Sequence, residues 1–423
     1  MSANEPNPSD VAASARIPTR PYAIAVGIAV LGLYASQGLV NDLATSIGLG
    51  PWANLVTMLT LAGYSAGLLL LVPLVDLLPN RRLIIATLGA QVVSLAVVAA
   101  AREPVAFLVA SFFVGLTSSA IQMLVPVVAM QAPEADRGRV VGDVMSGLML
   151  GVLLSRPAAS LIAGALGWRS YYAIDAVALA AMTAWLWTHV PERRPAHRSS
   201  YAALIGSLLD LIRDEPVLRR RALYQGLLMV SFNLFWTSVA LKLASAPLRL
   251  GHTGIGLFAL AGAGSTIIAP VAGRLGDRGF DRQSTIAFHT IVVLAAGIAL
   301  IGGSDHLSPA ASLTLLVVAA LLLDLGVIGD QALGRRAVNL LNPHVRGRVN
   351  GLFTGLFFVG SAVGALLAGP AWAHGHWTGV CVAAALFSTA AWALHVLQTP
   401  ASAQAAPPAQ PAQPAQPASE HRT

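Results

Sequence analysis

The segment Arg137-Gly138-Arg139-Val140-Val141-Gly142 recurs as Arg346-Gly347-Arg348-Val349-Asn350-Gly351, an offset of 209 residues. The same offset carries Gly151 onto Gly360 and Trp168 onto Trp377. A second pair, PLVDLLPNRR (73–82) and RLGDRGFDRQ (274–283), matches at an offset of 201 and puts Asp76 on Asp277 and Arg81 on Arg282. Apolar segments match by chance at little cost, but charged loop motifs do not fall into register by chance. The chain therefore reads as two halves built on one plan, 22–190 and 223–397, joined by a linker at 191–222.

Composition says where such a chain resides. Of 423 residues, 56% are hydrophobic and 11% charged, and the mean hydropathy is +0.69. Soluble domains carry about 25% charged residues. A helix crossing a bilayer uses roughly 20 apolar residues, so twelve spans take about 240 and leave about 180 for loops and tails. A soluble enzyme, a disordered chain and a coiled coil are excluded. A membrane β-barrel is disfavoured too, because its strands would alternate polar and apolar residues.

Apolar stretches of span length are expected at about 22–40, 53–76, 83–101, 104–131, 141–165 and 170–190, and again at 223–246, 253–275, 283–303, 308–330, 347–371 and 376–397. Residues 1–21 read as a polar cytoplasmic tail without a leader. Residues 398–423, a Pro/Ala/Gln tract, read as disordered. Cys381 stands alone in an apolar run, so no disulfide, metal or redox pair is expected. Of the 26 basic residues, only Lys242 is Lys. With that and its many alanines, the chain reads as the product of a GC-rich, bacterial genome.

If the N-terminus is cytoplasmic, twenty-one basic residues collect on the inner side. They include Arg81, Arg82, Arg137 and Arg139, the linker arginines Arg219–Arg221, and Arg278, Arg282, Arg335, Arg336, Arg346 and Arg348. Arg102, Arg169, Lys242 and Arg249 fall outside, and Arg156 lies within a span. That is the positive-inside pattern of an even number of spans. It assigns the net charge of +7 to topology and sets nucleic acid aside.

These residues resemble the signature loop of the major facilitator superfamily, G-x-L-x-D-R-x-G-R-R. The C-terminal copy fits at Gly273, Leu275, Asp277 and Arg278. The N-terminal copy keeps Leu74, Asp76 and Arg81 but has Val72, Leu77 and Pro79 where the pattern has Gly, Arg and Gly. Span 5 resembles the antiporter signature g-x8-G-x3-GP-x2-GG at Gly142 and Gly151, with Ser155-Arg156 in place of GP and Ala159-Ser160 in place of GG. Its counterpart in the second half keeps Gly351, Gly360, Gly364 and Gly369. GYSAGLLLLVPLVD (63–76) and GRVVGDVMSGLMLGVLLSRP (138–157) are similar to the bacterial twelve-span drug- and metabolite-efflux branch. The resemblance covers about residues 20–397. It implies an all-α membrane protein of twelve transmembrane helices in two pseudo-symmetric six-helix halves, a substrate site near the midplane between them, spans 1, 4, 7 and 10 lining it, and a monomer.

Arg156 is the sharpest single residue. It sits about 15 residues into span 5, beyond easy snorkelling. An intramembrane Arg costs at least about 2.5 kcal/mol, so it is expected to face a cavity or a partner. The functional reading is a fixed positive charge for an anionic or carbonyl-bearing substrate; the structural one is a pair with Asp175 or Asp42. Three intramembrane acids are candidate proton carriers: Asp42 near the outer end of span 1, Asp175 in span 6, and Asp324, the preferred one, in the inner half of span 10. A neighbouring Arg and burial act oppositely on a carboxyl's hold on its proton. The alternative for each is a structural acid.

Helical spacing places Tyr34, Gln37 and Asn41 on one face of span 1, Ser118 and Gln122 on one face of span 4, and Asn233, Trp236 and Thr237 on one face of span 7. Gln37, Asn41, Gln122, Asn233 and Trp236 are thus candidate substrate contacts with Arg156, although each could equally bind helix to helix. For gating, Asp76 is expected to face Arg346 and Arg348 at the start of span 11, and Asp277 to face Arg137 and Arg139 at the start of span 5. Asp143 is set to join them, beside Arg81, Arg278 and Arg282, and the N-terminal latch, having lost three motif positions, is expected to be the weaker. Glycines of spans 5, 8 (Gly262, Gly264) and 11 allow close helix approach, and Pro73, Pro126, Pro157 and Pro270 bend their spans. The histidines form no metal-ligand set, and no P-loop, GxSxG or HExxH motif is present, so no cofactor, metal or catalytic role is expected. The reading is a proton-coupled exporter of small organic molecules in the bacterial cytoplasmic membrane, both termini inside. An importer or facilitator on the same fold, or a transporter-like sensor, is the alternative.

Overall fold

The computed structural model describes residues 18–194, 200–262, 268–341 and 346–397, and their regular structure is all helical. The expected tails (with Arg16 and Arg422), Arg198 and Gly264 lie outside the described residues. Nine helices among the described residues are long and apolar enough to cross a membrane. Spans 1 to 6 are Thr19–Ser46, Gly50–Asp76, Asn80–Ala100, Pro104–Ala129, Arg137–Leu166 and Trp168–His189. Span 7 is Pro216–Ala244, span 8 comprises His252–Gly262 and Ile268–Asp277, span 9 is Asp281–Gly302 and span 10 is Pro309–Asn339. Arg346–Leu397 supplies spans 11 and 12, parted at His376, where φ is 48°. Helices are the solution because a backbone in hydrocarbon must satisfy its own N–H and C=O groups. Proline opens spans 4, 7 and 10, where its missing N–H removes no helical bond.

Two boundaries differ most from the sequence reading. Span 7 starts at Pro216, inside the expected linker, so Arg219–Arg221 belong to the helix. Span 10 runs past 330 to Asn339 and takes in Arg335 and Arg336. In both places charged residues suggest a loop; Arg221 instead turns inward onto Asp330 and Thr285, and Arg336 onto Asp277 and Asp281, which lets the helix continue. Consequently Asp324 lies at the middle of span 10 and not in one half of it. The remaining linker carries a helix of its own, Tyr201–Asp214, capped by Ser200 Oγ, which accepts from the Ala203 N–H at 3.1 Å.

The halves repeat one packing scheme. Span 1 packs on span 5 as span 7 does on span 11, span 2 on span 4 as span 8 on span 10, and span 3 on span 6 as span 9 on span 12. Between halves, span 2 meets span 11, the first segment of span 8 meets span 5, and span 1 meets span 7. The second segment of span 8 packs on spans 9 and 10 of its own half. Span 2 is distorted over its last turns: a wide helical turn at Gly67–Leu71 passes into a tight one at Val72–Asp76 containing Pro73, the type of fault that kinks a helix.

The repeated glycines divide into two kinds. A methyl group on Gly151 would overlap the carbonyl oxygen of Gly27 in span 1, and one on Gly360 would overlap that of Gly226 in span 7. Gly142 and Gly351 face open space. The same substitution should therefore act oppositely. Gly151→Ala and Gly360→Ala are expected to cost about 1–3 kcal/mol by forcing backbones apart. Gly142→Ala and Gly351→Ala should be neutral or stabilising by up to about 1 kcal/mol through helix propensity. Thermal unfolding of the purified protein in detergent checks this; equal midpoints for all four would refute the close-approach account.

Candidate functional site

A cavity of about 370 Å³ lies between the halves. Spans 1, 2, 4 and 5 contribute Tyr34, Tyr64, Gln122 and Arg156; spans 7, 8, 10 and 11 contribute Phe232, Gly262, Asp324 and Phe357. Span 10 presents Asp324, Val327, Ile328, Gln331 and Arg335 to it, the i, i+3, i+4, i+7, i+11 spacing of one helix face.

Arg156 is 6% exposed. Its Nε donates to Gln37 Oε1 at 2.6 Å, and Gln37 Nε2 donates to Asn233 Oδ1 of the other half at 3.0 Å. The guanidinium carbon lies 4.4 Å from the Trp236 ring centroid, 5.2 Å from that of Tyr34 and 5.6 Å from that of Phe232. A desolvated cation over an aromatic face gains about 2 kcal/mol or more. Trp236 in turn donates its indole N–H to Asp324 Oδ1 at 2.8 Å. Thus Arg156 of the first half and Asp324 of the second are joined through one indole ring without forming an ion pair. Arg156 Nη2 is buried and has no hydrogen-bond partner.

The other candidates are placed as follows. Gln122 lines the cavity and donates to Tyr64 Oη at 3.4 Å. Gln37 and Asn233 form the bond across the halves just described, behind the lining. Asn41 is not brought to the cavity; it lies one turn further along span 1, where its carbonyl accepts from Thr45 Oγ1. Asp42 faces His252 of span 8 at 3.6 Å. Asp175 is buried within the first half beside Gly32, with neither carboxylate oxygen hydrogen-bonded. Neither acid pairs with Arg156, which corrects the structural alternative for that residue. Asp42 lies too near the end of its helix, and Asp175 is on span 6, which packs behind span 1.

At the end of the bundle carrying the loop motifs, Arg348 Nε donates to Asp76 Oδ2 at 3.0 Å across spans 11 and 2. Asp277 does not meet Arg137 or Arg139. It accepts from Arg336 Nε at 2.9 Å within its own half, where Arg336 also reaches Asp281 at 3.3 Å. Of the two motif copies, then, the degenerate N-terminal one makes the contact between halves, contrary to the expectation of the weaker latch. The reason is that the second segment of span 8 packs away from span 5. Arg139 pairs locally with Asp136 (3.5 Å) and Asp143 (3.9 Å), and Asp143 also accepts from Thr19 Oγ1. Arg81 meets Glu192 at 3.6 Å, Arg282 donates to the Val396 carbonyl at 3.4 Å, and Arg278 is exposed.

The model of the Major Facilitator Superfamily matches residues 22–301 and 222–421. The chain belongs to that superfamily. The Putative uncharacterized transporter YgaY of Escherichia coli (strain K12) is 34% identical over 363 residues, 86% of this chain and 90% of that one. The Probable transporter SCO4007 of Streptomyces coelicolor is 28% identical over 394 residues, 91% and 88% of the two chains. A solved structure of a point mutant of the nucleoside transporter NupG superposes with a TM-score of 0.68 at 12% identity, covering 89% of this chain and 99% of the other, and so shares its fold. This major facilitator protein is a multi-pass membrane transporter.

Two groups escaped the sequence reading. Arg335, counted there as a topological charge, lines the cavity. A buried ionic cluster also sits in the second half: Asp330 lies 3.5 Å from Arg221 Nη1 and 3.3 Å from His289 Nε2, and Arg221 Nη1 donates to Thr285 Oγ1 at 2.9 Å. The signal available was an Asp and a His within apolar runs, an expensive choice unless paired. Among the described residues, no group of three or more His, Cys, Asp or Glu side chains could hold a metal ion. Removing one partner of a buried pair leaves an uncompensated charge and costs about 3–5 kcal/mol, whereas replacing both with apolar residues is close to neutral. Arg221→Met should therefore lower the unfolding midpoint markedly and Arg221→Met with Asp330→Leu should restore most of it; a silent single variant would show that the pair is not ionised.

Proposed function

We propose that the protein is a secondary active transporter that exports small organic molecules by alternating access, in exchange for protons. It acts as a monomer in the bacterial cytoplasmic membrane with both termini inside. The observation that carries this reading is the placement of a cation and an acid, Arg156 and Asp324, in one cavity but on opposite halves, linked by Trp236. Relative motion of the halves must make or break that link, so the charge state of Asp324 and the shape of the site are mechanically coupled. Asp324 is the proton carrier, Arg156 the fixed charge and Gln122 a substrate contact, while Trp236, a candidate contact on sequence, is buried behind the lining and joins the two charges instead. Asp42 and Asp175, outside the cavity, are secondary candidates for proton movement. The Asp76–Arg348 bond is the latch across spans 2 and 11, and Asp277 is held in reserve by Arg336 for the state in which the second segment of span 8 meets span 5. The excess of arginine at the latch end supports its cytoplasmic orientation.

Proteoliposomes with an internal pH indicator test the coupling, with dyes, nucleosides, sugars and organic anions added in turn. Wild type should show proton movement evoked by at least one compound, and Asp324→Asn should lose it by tenfold or more while still exchanging labelled for unlabelled substrate. Unaltered proton flux in the variant would remove Asp324 from the mechanism. Saturable uptake without proton movement in wild type would make the protein a facilitator.

A further inference from the structure

The lining of the cavity has an unbalanced charge. It holds two guanidiniums, Arg156 and Arg335, and one carboxylate, Asp324. The carboxylate is engaged by the Trp236 indole, and Arg156 Nη2 is buried with a hydrogen to donate and nothing to accept it. Among the described residues, Arg335 makes no ion pair. A donor buried without an acceptor is costly, more so when charged, and a site that leaves one is complete only when a ligand supplies the acceptor. Arg156 presents a planar donor fork, matched to carboxylate, sulfonate or phosphate oxygens.

The rest of the lining is apolar. Tyr34, Phe232, Phe357 and Phe358 supply aromatic faces, and Met145 and Met149 supply adaptable thioethers. Arg335 is eleven residues beyond Asp324 on span 10, about 16 Å along the helix axis. A compact ligand at Arg156 therefore does not touch Arg335, which stands nearer the end with the loop motifs.

Resting on the transporter reading above, we infer that the substrate class is an amphipathic organic monoanion: one carboxylate or sulfonate on an aromatic or aliphatic body. The anionic group binds Arg156 Nη2, the body packs among the aromatic and methionine side chains, and Arg335 attracts the anion on its way in. Cationic amphiphiles, which the aromatic lining alone would accept, are repelled by the net charge of the site.

Calorimetry on the detergent-purified full chain tests this with three probes sharing one ring system: naphthalene-2-sulfonate, 2-naphthol and 2-naphthyltrimethylammonium. The sulfonate keeps its charge at any working pH, so a change of affinity does not come from titration of the probe. Wild type should bind the sulfonate at least tenfold tighter than the ammonium, with the alcohol between. Arg156→Gln should weaken the sulfonate tenfold or more, Arg156→Lys should recover part of that, and Arg335→Gln should weaken it by a smaller factor. Unfolding midpoints within a few degrees of wild type certify that the variants fold. Ammonium binding as tight as sulfonate, no sulfonate binding, or sulfonate affinity unchanged in Arg156→Gln would each overturn the assignment. Transport is scored separately in proteoliposomes. Anion binding without any transport refutes the transporter reading and leaves the site standing; transport of cations alone does the reverse.

Discussion

A guanidinium placed at the twentieth position of a thirty-residue membrane helix has few ways to remain stable. It cannot reach water along its own stem, and an ion pair with a carboxylate would satisfy it so fully that little would be left for a ligand. Arg156 follows a third course: one neutral acceptor, Gln37 Oε1, and three aromatic faces. These contacts come from both halves. Tyr34 and Gln37 belong to span 1, Phe232 and Trp236 to span 7, and Gln37 is itself held by Asn233. The charge is thus solvated by side chains drawn from both sides of the seam between the halves.

That arrangement gives the rest of the architecture its purpose. The glycine pairs at Gly27/Gly151 and Gly226/Gly360 bring spans 1 and 5, and 7 and 11, into backbone contact. The ionic cluster of Arg221, Asp330 and His289 ties spans 7, 9 and 10 together on the side of span 10 away from the cavity. Span 10 is consequently tied on one face and lines the cavity with the other. The contacts of the two loop motifs are asymmetric, with spans 2 and 11 bonded through Asp76 and Arg348 while Asp277 is bonded within its own half.

Much of this was legible in the chain itself. Long apolar runs and two charged motifs in register give twelve helices in two halves, because a bilayer leaves no other use for such runs. Arg156, Trp236 and Asp324 stood out as polar or charged residues in those runs, and they do meet. What stayed hidden depended on side-chain direction. Gln37 and Asn41 share a face of span 1, yet only Gln37 lies at the depth of Arg156. Arg335 and Arg221 resembled loop charges because their helices were drawn too short: hydropathy ends a span where charge appears, whether that charge faces water or an interior partner. The engagement of the degenerate motif copy over the better-preserved one depends on how the second segment of span 8 packs, which pairwise motif matching does not report.

If Arg156 and Asp324 act as one unit through Trp236 across the two halves, the effects of their substitutions are coupled. A double-mutant cycle on transport measures that coupling, comparing Arg156→Gln, Asp324→Asn and the pair for substrate-evoked proton flux. Strong non-additivity is expected, with the double variant no worse than the more severe single one and a coupling of tenfold or more, about 1.4 kcal/mol. Losses that simply multiply would show two independent groups in one cavity and would contradict it.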